Sequence, residues 1–328
     1  MKRRVRIRKR KPATRKRTMQ ARKNYKTVFI ILGPTAAGKT AAAIRLAQSL
    51  NTAIISADSR QCYKELDIGV ARPSPGELHA VKHHFIASHS ILQDVNAAIF
   101  EEYAMARTEE IFQAHDAAVM VGGTGLYINA FCEGLDAIPA VNPLVRNQVQ
   151  TQYKKAGMEW LRQEVREQDP DFFAVGETLN PQRLIRALEV KLSTGYSILS
   201  FRKQQKKQRP FRISKIGLNL PKETLHEHIH RRVDQMMATG LLDEVRGLLP
   251  YKDLPALRTV GYTELFDHLA GRLSLDEAVA AIKTNTRHYA KRQLTWFRKD
   301  PSIRWIGPGD WEALREAARE AGFGDGLC

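Results

Sequence analysis

The sequence predicts an α/β fold built on a parallel, doubly wound sheet. Two observations support it: β-branched runs alternate with helical patterns through the first half of the chain, and a glycine-rich loop separates the first strand from the first helix. The predicted elements are the strand Thr27–Leu32, the helix Thr40–Leu50, the strand Ala53–Ser56, the helix Ala97–Ala114 and the strand Ala117–Val121. Because parallel strands collect ligands at their carboxyl ends, we expect a binding cleft at that edge.

The glycine-rich loop follows the G-x-x-x-x-G-K-T pattern. Its residues are Gly33, Pro34, Thr35, Ala36, Ala37, Gly38, Lys39 and Thr40. In such a loop, backbone N–H groups surround phosphate oxygens, the lysine adds a mobile cation and the final hydroxyl can hold Mg²⁺. The sequence therefore predicts a P-loop NTPase-like core that binds a di- or triphosphate, with Thr40 as the magnesium ligand.

The second half of the chain contains a predicted insertion. After Pro139 the sequence becomes polar and helical, which predicts a small helical domain inserted into the core. Asn180 and Pro181 are typical of the start of the next helix. The strand Ile213–Leu218 then returns to the sheet, and helices follow at about Lys222–Thr239, Leu241–Leu249 and Leu275–Lys299. The predicted domains are a core of residues 26–137 and 181–310, an inserted lobe of residues 138–180 and a C-terminal extension of residues 311–328.

Composition narrows the class of protein. The 328 residues, 43% of them hydrophobic, suffice for one core and an additional lobe. No run approaches the roughly 20 apolar residues of a membrane-spanning helix. Three separated cysteines, Cys62, Cys132 and Cys328, suit a reducing compartment. We therefore expect a cytoplasmic protein with no membrane partner, acting as a monomer.

The positive charge is concentrated at the start of the chain. The formal net charge is +17, but residues 1–18 hold 11 Lys and Arg and no acidic residue, which leaves +6 for the rest. We expect residues 1–25 to form a basic, disordered tail. Three interpretations of this tail remain open: an RNA-attracting arm, an organellar transit peptide, or upstream sequence included because an early start codon was chosen before Met19.

Several ordered motifs together resemble the tRNA dimethylallyltransferase family, and the match runs from about residue 26 to residue 306. The motifs are 33–40, 56–63, 67–69, His83-His84, 121–127, 180–190, 259–262 and 290–298. The resemblance implies transfer of a dimethylallyl group from dimethylallyl diphosphate to N6 of adenosine-37. That base lies beside the anticodon of tRNAs that read codons beginning with U. The partners implied are dimethylallyl diphosphate and the tRNA anticodon stem-loop.

The resemblance also assigns roles within the predicted cleft. Residues 33–40, with Arg232 and Mg²⁺, then bind the diphosphate as a leaving group, and Thr35 and Lys39 act in catalysis. The adenine amine is a poor nucleophile, so a carboxylate that accepts its proton is useful, and Asp58 is the predicted base. His228 stands where the family often has Arg, so we expect diphosphate binding to weaken as the pH rises.

The predicted tRNA contacts are spread along the chain. They are Asp58, Ser59, Arg60, Gln61, Thr124, Arg146, Gln182, Arg183, Leu184, Ile185, Arg186, Thr259, Val260, Gly261 and Tyr262. Simpler alternatives are that Arg183 and Arg186 are merely solvated and that Gly261 and Tyr262 form an ordinary turn. A phosphate-tracking surface is also predicted on the last long helix, from Lys283, Arg287, Lys291, Arg292 and Arg298.

Three other functions remain open from the residues alone. The chain could prenylate free adenine nucleotides, although the inserted lobe and basic helix favour a larger substrate. It could be a small-molecule kinase, for which a metal-binding Asp is expected after the strand Ala117–Val121, where Gly122 and Gly123 stand instead. It could also be a non-catalytic RNA-binding protein that uses a nucleotide as a switch.

Overall fold

A parallel sheet forms the centre of the molecule. The computed structural model describes residues 25–203 and 205–323, so the predicted basic tail lies outside the described residues except for Tyr25. The strands are β1 (Thr27–Leu32), β2 (Ile54–Ala57), β3 (His83–His84), β4 (Ala117–Gly122), β5 (Arg212–Leu218) and β6 (Arg304–Ile306). Their order is β3-β2-β4-β1-β5-β6, and every pairing is parallel. The predicted α/β class is confirmed.

Helices flank both faces of this sheet. In the first half of the chain they are α1 (Lys39–Ser49), α2 (Pro75–Ala80), α3 (Ala97–Ala114), α4 (Gly125–Glu133), α5 (Pro143–Gln168) and α6 (Pro170–Val175). In the second half they are α7 (Pro181–Thr194), α8 (Lys222–Ala238), α9 (Leu241–Gly247), α10 (Tyr262–Leu269), α11 (Leu275–Phe297) and α12 (Trp311–Glu320). No helix among these described residues is long and apolar enough to span a membrane.

The central strand β1 separates two hydrophobic cores. Its side chains alternate between the faces, because successive residues of a strand point in opposite directions. Val28 and Ile30 pack with α3, α4 and α10 on one face, whereas Phe29 and Ile31 pack with α1 and α12 on the other. All six residues of β1 are buried. The loop that follows is therefore held on a rigid element that is covered on both sides.

The segment predicted as a C-terminal extension contributes to the core. Helix α12 buries Leu314, Ala317 and Ala318 against α1 and the second face of the sheet. At its start, the guanidinium of Arg45 stacks on the ring of Trp311, 4.2 Å from the ring centroid. The described part of this segment therefore completes a layer of the core.

The inserted lobe has a hydrophobic core of its own. Leu161 and Val165 of α5, Phe172 of α6 and Leu188 of α7 meet there, and the cluster continues to Ile198. Placing the end of the lobe at residue 180 was therefore wrong. Asn180 and Pro181 do start a helix, but the apolar face of that helix packs on α5 and not on the sheet.

The shortest strands were not predicted from the sequence. Strand β3 has two residues and β6 has three, which is too short for a periodic pattern to appear. Helices α4 and α10 begin directly after glycine-containing turns that were read only as motifs. The predicted strands and long helices agree with the observed bounds to within one or two residues.

Candidate active site

The phosphate loop connects β1 to α1. Gly33 has φ 142°, and a Cβ there would lie 2.8 Å from the carbonyl oxygen of Leu218, so only glycine fits this turn. Gly38 adopts a left-handed conformation (φ 82°) just before α1, and no side chain caps the helix. The N–H groups at the start of α1 are therefore available to an anion. Pro34, Ala36 and Ala37 are buried and shape the loop through their backbone.

Lys39 folds back over this loop. Its ammonium group donates a hydrogen bond to the carbonyl oxygen of Pro34 at 2.6 Å. Burial and, to a smaller extent, the nearby Arg232 guanidinium together lower the pKa of Lys39 to about 8, against the opposing effect of the Asp58 carboxylate. The site thus holds two cations and one carboxylate close together before any substrate binds.

Helix α8 brings two basic residues to the phosphate loop. Arg232 donates a hydrogen bond to the hydroxyl of Thr35 at 3.3 Å, and burial lowers the pKa of this guanidinium. One turn earlier, Nδ1 of His228 lies 3.2 Å from the carbonyl oxygen of Ala36. The residue that replaces the family arginine is thus in contact with the loop.

Asp58 follows directly after β2. Its Oδ1 accepts hydrogen bonds from the backbone N–H groups of Arg60 (2.8 Å) and Gln61 (3.2 Å), which fixes the turn. No hydrogen bond within residues 25–203 and 205–323 uses the other oxygen, Oδ2. One carboxylate therefore combines a structural contact with an oxygen that remains available for a substrate proton.

The turn after β4 lies beside Asp58. The Thr124 hydroxyl accepts a hydrogen bond from the backbone N–H of Ser59 at 3.1 Å and donates one to the Ser59 hydroxyl at 3.4 Å. Behind it, a Cβ on Gly122 would lie 2.2 Å from the carbonyl oxygen of Ala57. The glycine at this position therefore permits the ends of β2 and β4 to approach closely.

A cavity of about 520 Å³ joins these segments. The predicted site residues that line it are Thr35, Asp58, Ser59, Arg60, Arg232, Thr259, Val260 and Gly261. Residues as far apart in the sequence as Thr35 and Gly261 thus meet at the carboxyl edge of the sheet, as the strand order requires. A cavity of this size can hold a small organic ligand.

Several lining residues were missed by the sequence analysis. Glu264 is buried; its carboxylate accepts hydrogen bonds from the backbone N–H of Gly261 at 2.8 Å and from Asn285 Nδ2 at 2.7 Å. Asn285, Tyr289 and Arg292 lie on one face of α11, at the i, i+4 and i+7 spacing. That spacing of polar side chains was the one available signal. Of these three, only Arg292 belongs to the predicted phosphate-tracking surface.

Tyr262 is not a surface residue. Its side chain is fully buried, and its hydroxyl donates to Glu244 at 2.5 Å. Burial, strengthened by this carboxylate, raises the pKa of Tyr262. Glu244 also accepts from the backbone N–H groups of Ile68 (2.7 Å) and Gly69 (3.1 Å). The side chain of Tyr262 therefore holds the wall of the cavity, and its prediction as a tRNA contact was wrong.

Gln61 is likewise committed to the interior of the protein. Its amide donates to the backbone carbonyls of Val70 (3.2 Å) and Ala71 (2.9 Å) and lies 3.2 Å from the Ser56 hydroxyl. The guanidinium of Arg60 donates to the carbonyls of residues 255 and 256, at 3.1 and 3.0 Å. Gln61 therefore braces the cavity wall, whereas Arg60 both braces it and lines the cavity.

The residues predicted in the lobe do not line the cavity. Leu184 and Ile185 are buried in the core of the lobe, so their side chains cannot meet RNA, and that prediction was wrong. Arg146 lies 3.9 Å from the buried Glu189. Gln182, Arg183 and Arg186 are exposed or half-buried on the same helix, and Arg183 pairs with Glu177.

Comparison with known proteins identifies the family. A model described as IPP transferase matches residues 61–300. The tRNA dimethylallyltransferase 1 of Bacteroides thetaiotaomicron is 45% identical over 293 residues, which cover 89% of this chain and 95% of that protein. The chain belongs to the tRNA dimethylallyltransferase family. The resemblance inferred from the ordered motifs is thereby confirmed.

Other members of the family agree. The tRNA dimethylallyltransferase of Christiangramia forsetii is 47% identical over 276 residues, covering 84% of this chain and 91% of that protein. A solved tRNA isopentenylpyrophosphate transferase from Bacillus halodurans superposes with a TM-score of 0.66 at 34% identity, covering 91% of this chain and 96% of that one. A eukaryotic dimethylallyltransferase acting on tRNA, 24% identical with a TM-score of 0.72, shares the fold over 90% of this chain and 77% of its own.

Proposed function

We propose that this family member transfers a dimethylallyl group from dimethylallyl diphosphate to N6 of adenosine-37 in tRNAs that read codons beginning with U. The observation that carries the proposal is the cavity that brings the phosphate loop and the free oxygen of Asp58 together. The cations beside the phosphate loop suit a leaving diphosphate. The nearby Asp58 carboxylate is a proton acceptor, which suits an amine that forms a new bond.

The cations around the phosphate loop favour departure of the diphosphate. As the C–O bond of the allylic substrate breaks, negative charge accumulates on the diphosphate oxygens. Lys39, Arg232 and the N–H groups at the start of α1 lie around the loop and stabilise that charge. Because these groups interact more strongly with the departing diphosphate than with the bound ester, they lower the barrier.

Beside Asp58, the adenine amine attacks the allylic carbon. The C–N bond forms while the C–O bond breaks, and the amine proton passes to Oδ2 of Asp58 as pyrophosphate leaves. Oδ1 stays engaged with the turn, so the carboxylate keeps its orientation during the transfer. The products are N6-dimethylallyladenosine and pyrophosphate.

The target base has to leave its stack in the anticodon loop to reach this carboxylate. Residues 259–261 and Arg60 border the cavity, and α11 carries Arg287, Lys291 and Arg292 beside it. These cations suit an RNA backbone that lies across the rim while one base enters. The lobe arginines Arg146, Arg183 and Arg186 lie away from the cavity and suit the adjoining stem.

Magnesium is proposed as the cofactor. Thr40 offers a hydroxyl oxygen, the type of ligand that Mg²⁺ prefers, and no group of three His, Cys, Asp or Glu among the described residues could hold a metal by itself. Thr40 is therefore the residue that would hold the ion. When bound, the ion would neutralise charge on the leaving group.

We further propose a monomer in the cytoplasm, where the free thiols of Cys62 and Cys132 stay reduced.

The test compares acceptors for labelled dimethylallyl diphosphate. An anticodon stem-loop with adjacent A36 and A37 should become prenylated, whereas AMP and ATP should not. ATP hydrolysis without prenyl transfer would favour the kinase alternative, and prenylated AMP would favour the free-nucleotide alternative.

Asp58→Asn tests the base. Asparagine retains an oxygen that can accept from Arg60 and Gln61, but it cannot take the proton, so we expect kcat to fall by about 10²–10⁴-fold with tRNA binding retained. Asp116→Asn is the matched control, because Asp116 pairs with Lys26 in a partly exposed ion pair beside the amino end of β4. Full activity of Asp58→Asn would remove this residue as the base.

A further inference from the structure

Gln293 joins the two loops that border the cavity. From α11, its Oε1 accepts a hydrogen bond from the backbone N–H of Thr35 at 2.8 Å, and its Nε2 donates one to the carbonyl of Gly123 at 2.9 Å. These partners lie 258 and 170 residues away from it in the sequence. Gln293 is only 6% exposed, and its bond to Gly123 is buried whereas its bond from Thr35 is partly buried, so the side chain is held firmly in place.

The chemistry of both contacts requires an amide. A backbone N–H needs an acceptor and a carbonyl needs a donor, so only one orientation of the carboxamide satisfies both. As a consequence, the N–H of Thr35 is already engaged and is not free to bind a phosphate. This hydrogen bond corrects the expectation that every amide of the loop faces the diphosphate.

The glycines of the turn after β4 are explained by the same helix. A Cβ on Gly123 would lie 2.2 Å from Nε2 of Gln293, and a Cβ on Gly125 would lie 2.3 Å from the indole of Trp296. Gln293 and Trp296 are three residues apart and share one face of α11. The glycines are therefore there to admit this helix, and nothing in their contacts reserves them for a phosphate.

The position of Gln293 sets the spacing of the reactive groups. On one side it holds Thr35, whose hydroxyl contacts Arg232 at 3.3 Å. On the other it holds the residue before Thr124, whose hydroxyl bonds to Ser59 beside the proposed base. A single side chain thus connects the phosphate loop with the turn that contacts Ser59 beside Asp58.

We propose that Gln293 is a positioning residue, which fixes the distance between the phosphate loop and the Asp58 side of the cavity. The proposal rests on the proposed function, because that distance matters only if a group passes from one end to the other. Gln293 itself touches neither substrate. A misplacement of the reacting groups by about 1 Å can lower the rate about 100-fold. Replacement of Gln293 is therefore expected to lower kcat and to leave the KM of each substrate unchanged.

Gln293→Glu is the first test, because the two side chains have the same shape. An ionised glutamate can accept from Thr35 but repels the carbonyl of Gly123, whereas a protonated one can donate to that carbonyl. We expect kcat at about pH 8 to fall by about 10- to 100-fold, with both KM values within about threefold of the unmodified enzyme. The ratio of variant to unmodified kcat is expected to rise towards about pH 6. Gln113→Glu, exposed near the end of α3, is the matched control.

Gly123→Ala provides an independent test, because it displaces the Gln293 side chain while leaving its chemistry intact. We expect the same loss of kcat, whereas Gly247→Ala, whose added Cβ meets no atom within 4 Å, is expected to be neutral. Unchanged kcat in Gly123→Ala and Gln293→Glu, or a loss confined to KM, would overturn the proposal. The proposal would also be overturned if the ratio of Gln293→Glu kcat to unmodified kcat did not change with pH while Gly123→Ala kept full activity. The lower kcat of Gln293→Glu would then be due to its added charge.

The unmodified enzyme in the same assay separates the two proposals. Absence of prenyl transfer from the unmodified enzyme would refute the proposed function. Robust transfer that survives both substitutions would refute only the role of Gln293.

Discussion

The affinity for dimethylallyl diphosphate is expected to fall as the pH rises through the pKa of Lys39. Burial, with help from Arg232, lowers that pKa to about 8 in the free protein. A bound diphosphate would supply negative charge beside the ammonium group and raise the pKa again. Binding and protonation are therefore coupled, and the affinity declines wherever the free protein has lost the proton that the complex retains.

The size of the effect follows from the pKa of about 8. Lys39 is about nine-tenths protonated at pH 7 and about one-tenth protonated at pH 9, so the dissociation constant is expected to rise about tenfold between them. The last proton of a phosphate ester leaves near pH 6, so the substrate contributes little to a change in this range.

Calorimetric titration of dimethylallyl diphosphate without RNA measures the change directly, because no reaction follows binding. Titrations in buffers of different ionisation enthalpy should also reveal proton uptake near pH 8. In Lys39→Arg the guanidinium stays charged, so the dissociation constant is expected to be flat between pH 7 and pH 9. A flat profile in the unmodified protein would refute the reasoning.

The same pKa predicts a cost to stability. Lys39 has a lower pKa in the folded protein than its ordinary 10.5, so its charge opposes folding below about pH 8. This cost is lost as the pH rises towards 10.5, where the side chain becomes neutral in both states. Lys39→Met is therefore expected to raise the free energy of unfolding at pH 7 by about 2–3 kcal/mol while it abolishes activity. Urea unfolding at pH 7 and pH 10 provides the check, and a difference independent of pH would contradict it.

Three further outcomes are expected. Tyr262→Phe removes the bond to Glu244 and should lower the free energy of unfolding in urea by about 2 kcal/mol with tRNA affinity unchanged; a large loss of tRNA affinity at full stability would restore Tyr262 as a contact. Replacing Arg287 and Lys291 by Ala should reduce the slope of log affinity against log salt by about 1.5, and an unaltered slope would place the RNA elsewhere. His228→Ala removes the side chain that contacts the carbonyl oxygen of Ala36 and should raise the KM for dimethylallyl diphosphate; an unchanged KM would exclude His228 as a contact.

Much of the fold was predictable because its signals are local. The phosphate loop is contiguous, and a strand before it and a helix after it are each set by periodicity over a few residues. Asp58 was predictable as well, because it follows a recognisable strand and carboxyl ends of parallel strands converge. By contrast, β3 and β6 could not be predicted, because two or three residues are too few to show an alternating pattern.

The tRNA contacts were less predictable, because a motif does not reveal which of its residues face outwards. Leu184, Ile185 and Tyr262 lie within recognisable motifs, yet their side chains are buried. Their neighbours Thr259 and Val260 do line the cavity. The packing of α7 on α5 and of α10 on the core determines which of these side chains are buried. Neither contact can be predicted from the local sequence.

The sequence by itself determined the family, the parallel sheet and the glycine-rich loop between β1 and α1, because each is encoded in short stretches whose hydrogen bonds and periodicity are local. Only the tertiary structure decided that Glu264 and Asn285 complete the cavity, that Glu244 stabilises its wall and that Gln293 joins the phosphate loop to the turn after β4. Those contacts join residues from 18 to 258 positions apart. These contacts form only when the sheet and helices pack together, so no local sequence pattern can predict them.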